Sequence, residues 1–314
     1  MATSGSVDFT VTRNELIETA LKQAGVIGEG DTPTSAQYSE GAILLNMIVK
    51  ARMSDGMPLW ALKRGTVLPF TGESSIDPTA SHAVVDYDYT TLSADAAASA
   101  TTISVTSATG FANGYNIGID LDSGSMYWTT ISNVSGTTIT VAALPSAASS
   151  GNYVYVYPTA NRVTRPLRII AANIFNVADS SSYPINVIVR EAYFTLGNRG
   201  SASTPNQIYY DPTITSPTLW VFPRFTSGSQ VMEFTYHRPF EDFDSSTDTP
   251  DFPQEWYLAL MFELASLFAG KYGIAFEERK MLAAEAAKYV DLALSNGYPE
   301  GSIYLQPDYT GVNH

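Results

Sequence analysis

The chain has 314 residues, a formal charge of -14 at pH 7, 45% hydrophobic residues and 12% aromatic ones. That composition belongs to a folded chain with at least one sizeable core, and it excludes intrinsic disorder. There is no cysteine and there are three scattered histidines (His82, His237, His314), which excludes disulfide and thiol chemistry and argues against a structural zinc site.

The opening MATSGSVDF has neither a basic nor an apolar run, so no secretory leader is expected. Thr12 to Ala24 is a well-signed helix. Thr12 and Glu15 make a capping box, Val11 and Leu16 can staple, and Gly25 ends it. A second box at Thr34 and Gln37 opens a helix to about Met53, with Tyr38, Ala42, Leu45, Ile48 and Val49 on its apolar face. Ser54, Asp55, Gly56 and Pro58 stop it, and the pair reads as an antiparallel hairpin. TVLPF, within Trp60 to Phe70, looks like a strand.

Thr90 to Tyr157 is text of another kind. The runs TTISVT, YNIGID, MYWTTI, TTITVA and YVYVY are separated by turn residues, with hairpin turns at Asp122-Ser123-Gly124 and Ser135-Gly136. SADAAASA ahead of them reads as a linker or first turn. Five or six such strands predict a small antiparallel barrel or sandwich, inserted into the chain. No lysine or arginine occurs between Arg64 and Arg162, where seven acidic residues stand. Tight nucleic-acid binding needs several cationic contacts to phosphate, and this region has none to give.

From Asn161 to Pro250 there are seven arginines and no lysine, a bias that suits fixed, bidentate contacts. Strands are expected at Leu167–Phe175, Ile185–Val189, Leu219–Phe222 and Gln230–Tyr236, with a short helix at Arg190–Leu196. The acidic loop EDFDSSTD then leads to DFPQEWYLALMFELASLFAG. Asp251 can cap this helix, with Gln254 three residues on and Pro253 where its missing N–H costs nothing. From Trp256 to Ala269 only Glu263 and Ser266 are clearly polar. A helix apolar nearly all round, yet too short for a membrane span, needs partners on several sides. Gly270 and Gly273 break it, and a second helix runs from about Ala275 to Leu294. Asn296-Gly297 and Pro299 end that one, ahead of an extended aromatic tail whose tyrosines and Ile303 suggest that something holds it.

Sites for chemistry are scarce. HExxH, Walker A and G-x-S-x-G patterns are absent. Gly28-Glu29-Gly30 reads as an interhelical turn. Asp242, Asp244, Ser246 and Asp248 resemble the start of a calcium loop, but the glycine and glutamate that complete one are missing, so a solvated acidic loop is the better reading. Asp120 and Asp122 serve their hairpin turn. YVYVY could stack sugars or bases, although alternation more often gives one core face and one exposed face. No catalytic, cofactor-binding or metal-ligating residue is nominated.

Taken together, a series of motifs resembles the head-to-tail adaptor proteins of short-tailed bacteriophages, also called tail tubular, tail accessory or packaged-DNA stabilisation proteins. The series begins with TRNELIETALKQAGVI, PTSAQYSEGAILLNMIVKARMSDG and Trp60. It continues with RPLRI (Arg165 to Ile169), EAYFTL (Glu191 to Leu196), Gly200, Pro205, IYYDP (Ile208 to Pro212) and LWVFP (Leu219 to Pro223). It closes with YHRPF (Tyr236 to Phe240), FPQEW (Phe252 to Trp256) and FAGKYG (Phe268 to Gly273). The β-rich module departs from the shortest members and looks like a decoration seen in some relatives.

The resemblance implies a non-enzymatic virion protein at the head–tail interface, made in the host cytoplasm. A ring of expected twelve copies sits beneath the portal protein, extends the DNA channel without binding DNA specifically, and offers a platform for nozzle, tail tube or tail fibre proteins. Carried onto this chain, the Asp251–Leu294 helices make ring contacts through Trp256, Leu260, Leu264 and Phe268, while Tyr298, Ile303, Tyr304 and Tyr309 dock on the portal or a neighbour. The acidic, lysine-poor chain suits a conduit that repels phosphate. No cofactor and no membrane contact is implied.

The expected fold class is therefore α+β. Residues 1–64 form the N-terminal hairpin of a helical core, 65–89 a strand-rich connector, 90–157 the inserted β-domain and 158–250 a β-rich central part. Residues 251–296 complete the core, and 297–314 form an extended tail. Two other readings compete: a tail-associated binder of host-surface glycans acting through the β-domain, and a cell-wall hydrolase using a carboxylate pair.

Overall fold

A computed structural model describes residues 5–53, 59–70 and 75–295, and the chain divides into two compact units. Residues up to Ala61 and from Phe240 onward form one, and Leu62 to Pro239 the other. Helices and sheets both contribute, so the fold is of the mixed α+β class.

In the helical unit, α1 (Arg13–Gln23) opens with the expected box. The Glu15 amide donates to Thr12 Oγ1, and the Thr12 amide donates to the Glu15 carboxylate at 2.8 Å. Gly25 follows in the left-handed region, φ +70°, where a side chain would be strained. The box at Thr34 and Gln37 opens α2 (Ser35–Arg52) in the same way. Leu16, Ile17 and Leu21 of α1 face Leu45, Ile48 and Val49 of α2 within one core. Gly41 allows the close approach, since a Cβ there would lie 2.6 Å from the Ile17 side chain. The stop signal at 54–58 lies outside the described residues.

Asp251 does not cap the next helix. A 3-10 turn, Gln254–Trp256, intervenes with Pro253 at its N-cap and no side-chain capping bond, and the Asp251 carboxylate instead accepts the Glu241 amide at 3.0 Å. The turn feeds α4 (Tyr257–Lys271), α3 (Arg190–Phe194) belonging to the other unit. After Gly273, φ +71°, α5 (Phe276–Ser295) follows. α4 packs on α1, α2 and α5 together. Much of the partner requirement of an all-round apolar helix is thus met inside its own chain.

The acidic loop joins this unit instead of the β-rich part expected to hold it. Its carbonyls at Asp248 and Ser246 accept the first amides of α1, from Arg13 at 2.7 Å and Asn14 at 3.3 Å. Asn46 of α2 makes two bonds with the Phe243 backbone, as donor to its carbonyl and acceptor from its amide.

The second unit is organised on an eight-stranded sheet. Its early strands are β1 (Leu62–Val67), β2 (Ser75–Ile76) and β3 (Ala83–Val84). The insertion then supplies β4 (Asp88–Thr91), β5 (Thr102–Ser104), β6 (Asn116–Asp120), β7 (Met126–Thr130), β8 (Asn133–Ser135), β9 (Thr138–Thr140) and β10 (Tyr153–Tyr157). The chain returns through β11 (Arg168–Asn176), β12 (Ser181–Val187), β13 (Gln207–Asp211), β14 (Thr218–Phe222) and β15 (Gln230–His237). The large sheet has the order β2-β14-β13-β12-β11-β15-β1-β3. Ile76 from one edge strand and Ala83 from the other share one core, which is what curling into a half-barrel achieves. The expected connector is therefore part of the same sheet as the central strands, not a separate piece.

The insertion has sheets β4-β10-β6-β7 and β5-β9-β8 around a common core that includes Ile103, Ile117, Ile139 and Val154. Gly124 and Gly136 turn two of its hairpins at φ +76° and +60°. The module is joined to the large sheet by aromatic residues, Tyr155 buried and Trp128 half-buried. Tyr155 Oη donates to the Gly228 carbonyl at 2.7 Å, and Trp128 Nε1 to the Pro69 carbonyl at 3.1 Å. Trp128 also stacks on His82, with ring centroids 4.0 Å apart.

Candidate functional site

The polar clusters serve the fold. In the acidic loop the Asp248 carboxylate accepts the Asp244 and Ser245 amides, and Asp242 pairs with Lys50. Asp248 is thus used in closing the loop and Asp242 in tying it to α2, and the described residues contain no group of three or more potential metal ligands. Asp122 accepts the Ser149 amide and hydroxyl and the Asn152 amide, all at 2.9 Å, and these bonds, that of the Ser149 amide foremost, lower its pKa. Burial, then the Asp122 charge, raises that of Asp120. The two acids thus have divergent environments, but Asp122 is committed to a neighbouring loop and Asp120 lies against Gly228.

The tyrosine strand is turned inward. Tyr155 and Tyr157 are buried, and burial pushes the Tyr155 hydroxyl far up, leaving Tyr89 on the adjacent strand as the most exposed ring of that row. A wide stacking platform for sugars is absent among these side chains.

The nominated ring-contact residues fall inside the helical core. Trp256 is 4% exposed, and Leu260, Leu264 and Phe268 are 0%. They hold α4 against α1 and α2, so they are not a surface available to another copy. Tyr298, Ile303, Tyr304 and Tyr309 lie outside the described residues. Much of the apolar surface that does remain comes from positions not singled out in the sequence, among them Ile43 and Met47 on α2, Leu258 and Leu267 on α4, and Phe276, Met281 and Leu292 on α5. A signal for them existed in α2. Ile43 and Met47 are four residues apart, on the face away from Leu45 and Val49, where an ordinary surface helix carries charge.

Part of this surface forms a groove of about 660 Å³ between α2, α4 and α5. Leu44, Met47 and Ala51 line it from α2, Leu267 from α4, and Ala283 and Ala287 from α5. Arg52 and Glu263 also border it and are joined by two bonds from one guanidinium edge, Nε and Nη2, to the two carboxylate oxygens, with side chains 19% and 14% exposed. Those two charges neutralise each other, and with only Asp291 and Ser266 as further polar lining the groove offers a visitor mainly aliphatic surface. The small alanines of α5 leave it open and the long Met47 can adapt to what enters. Among the described residues, no helix is long and apolar enough to cross a membrane.

Neither a scan against protein-family models nor a search of curated proteins returns a match.

Proposed function

We propose that the chain is a non-enzymatic structural virion protein, a head-to-tail adaptor whose copies form a ring under the portal, prolong the DNA channel and carry tail components. The motif series from Thr12 to Gly273 suggests this role. The observation that supports it is the set of large apolar side chains left on the helical unit, with Met47 62% exposed, Ile43 58% and Leu267 45%. Exposed apolar surface of this kind marks a contact with another macromolecule. A ring built head to tail would cover it by repeating one heterologous contact around the axis. The charge of -14 and the stretch without lysine or arginine suit a wall past which DNA slides.

The test is electron microscopy of the purified chain mixed with its portal protein. Rings seated on the portal are expected, including from chain that is monomeric alone. A folded chain that never joins the portal would overturn the reading.

A further inference from the structure

One corner of the sheet unit combines uncompensated positive charge with bare aliphatic surface. β11 begins there, β12 and β13 end there, and α3 follows β12 at once. Together they enclose a cleft of about 400 Å³, lined by Arg168 and Arg190 and by Ile170, Val187 and Val189. Arg165 reaches its rim, donating from Nη1 to the Pro212 carbonyl at 3.0 Å. The guanidinium groups of Arg190 and Arg199 lie 5.5 and 5.1 Å from the centre of the Phe194 ring. A guanidinium laid on an aromatic ring has already lost rotamer freedom, so less is lost when it meets an acid.

The charge is not balanced on the spot. Arg165, Arg168, Arg190 and Arg199 stand with two acids, Glu191 on α3 and Asp211, which takes Arg190 at 3.3 Å. Among the described residues Arg168 and Arg199 have no ion-pair partner. Beside them Val189 is 65% exposed, Ile170 42% and Phe194 41%. Arginine with aromatic and aliphatic surface, and no lysine, is the composition of a contact between proteins. A nucleic-acid footprint pools lysine with arginine, and a chain of charge -14 repels phosphate at long range.

The chain carries the complement of this corner. Its helical unit holds 20 of the 31 acidic residues and 8 of the 17 basic ones. That unit also shows large apolar side chains, Phe276 and Met281 among them. We propose that the arginine corner of one copy binds the acidic helical unit of a second copy. The two faces differ, so the contact is heterologous and repeats from copy to copy. It does not rest on the adaptor reading. Where that reading holds, it adds a charged contact to the apolar one in the ring.

The test is sedimentation equilibrium of the full chain at about 0.15 M salt, where a Debye length of about 8 Å screens the repulsion between whole copies. Concentrations run to about 1 mM, where weak contacts are populated. Reversible self-association is expected, and Arg168→Gln/Arg199→Gln should weaken it by about tenfold or more. Thr102→Glu/Thr138→Glu changes the net charge equally, at exposed positions of the insertion, and should alter it by less than about twofold. A folded chain that stays monomeric throughout would overturn the proposal. So would equal effects of the two variants.

A photoreactive benzophenone amino acid at Val189 gives a reading that needs neither variant. In a mixture of isotopically labelled and unlabelled chains, crosslinks between copies should reach peptides of the helical unit. Crosslinks confined to the sheet unit would overturn the proposal. A fluorescent DNA duplex is the rival probe. If the chain stays monomeric yet binds the duplex through Arg168 and Arg199, the corner belongs to nucleic acid and the proposal falls. Portal-bound rings are scored separately, so this inference and the adaptor reading can fail independently.

Discussion

His82 shows how one residue ties two parts of the sheet unit together and what that does to stability. It has φ +36°, stacks on Trp128, and lies 3.4 Å from Tyr157 Oη through Nδ1. Burial, and secondarily the charge of Arg162, lowers its pKa to about 4. In the unfolded chain a histidine titrates near ~6.5. As pH falls through that value, the unfolded state gains a proton that the folded state refuses. The contribution is therefore complete above ~6.5 and is lost progressively towards pH 4, by on the order of 3 kcal/mol. His82→Asn removes the titration and tolerates the left-handed backbone. Its stability measured by urea denaturation should fall less steeply from pH 7 to 4 than that of the parent. His237 is depressed in the same direction by burial, so the informative quantity is the difference between the two slopes. Gly118 next to this junction tests packing alone. A Cβ there would lie 2.6 Å from the Trp128 ring, which is held by its stack on His82 and its bond to Pro69. Gly118→Ala should cost about 1–3 kcal/mol by overpacking, visible as a lowered denaturation midpoint with an altered near-ultraviolet tryptophan signal.

At the scale of elements, the acidic loop is held by Asn46 and in turn supplies the carbonyls that receive the first amides of α1. Asn46→Ala leaves both Phe243 backbone groups without that partner in a partly buried place, and should cost about 1–3 kcal/mol. Added calcium should not restore the loss, because the loop is closed by its own amides; recovery in a calcium titration would revive the metal reading. Much of this architecture was legible in sequence where the signal is local. Thr12 with Glu15 and Thr34 with Gln37 announced α1 and α2 because a capping box needs only four residues. Gly124 and Gly136 announced hairpins for the same reason. The errors arose where distant chain decides. Asp251 looked like a cap, yet its carboxylate goes to Glu241. Gln207–Asp211 forms a strand paired to β12 and β14, although its IYYDP run gave no alternation by which to name it. α4 was the instructive case. Apolar residues all round a helix state that it needs several partners, not which ones. α1, α2 and α5 supply most of them, which leaves Leu258 and Leu267 outside and Leu260 and Leu264 within.

At the scale of the molecule, the order of the chain matters more than its length. Each unit brings the two chain crossings close together on its own account. In the sheet unit Leu62 pairs with His237 across β1 and β15, and in the helical unit Trp60 stacks on Phe240 with ring centroids 4.8 Å apart. An insertion whose ends are adjacent can be accepted without straining its host. Leu62 to Pro239 expressed alone should therefore unfold cooperatively, and the helical unit should fold when a short Gly-Ser linker joins Ala61 to Phe240. Failure of the linked helical unit to give cooperative thermal unfolding by circular dichroism would mean that the two units are one folding body. The same background separates core from contact surface. Leu264 is fully buried, so Leu264→Asp places an unpaired charge in the core and should abolish the transition. Leu258 is 43% exposed, and Leu258→Glu should change stability by no more than about 0.5 kcal/mol. If Leu258→Glu also leaves portal binding intact in the full chain while Met47→Glu and Leu267→Glu abolish it, the assembly contact lies on the groove side of α4. If none of the three affects binding although each variant folds, the exposed apolar face is not the contact of the proposed ring.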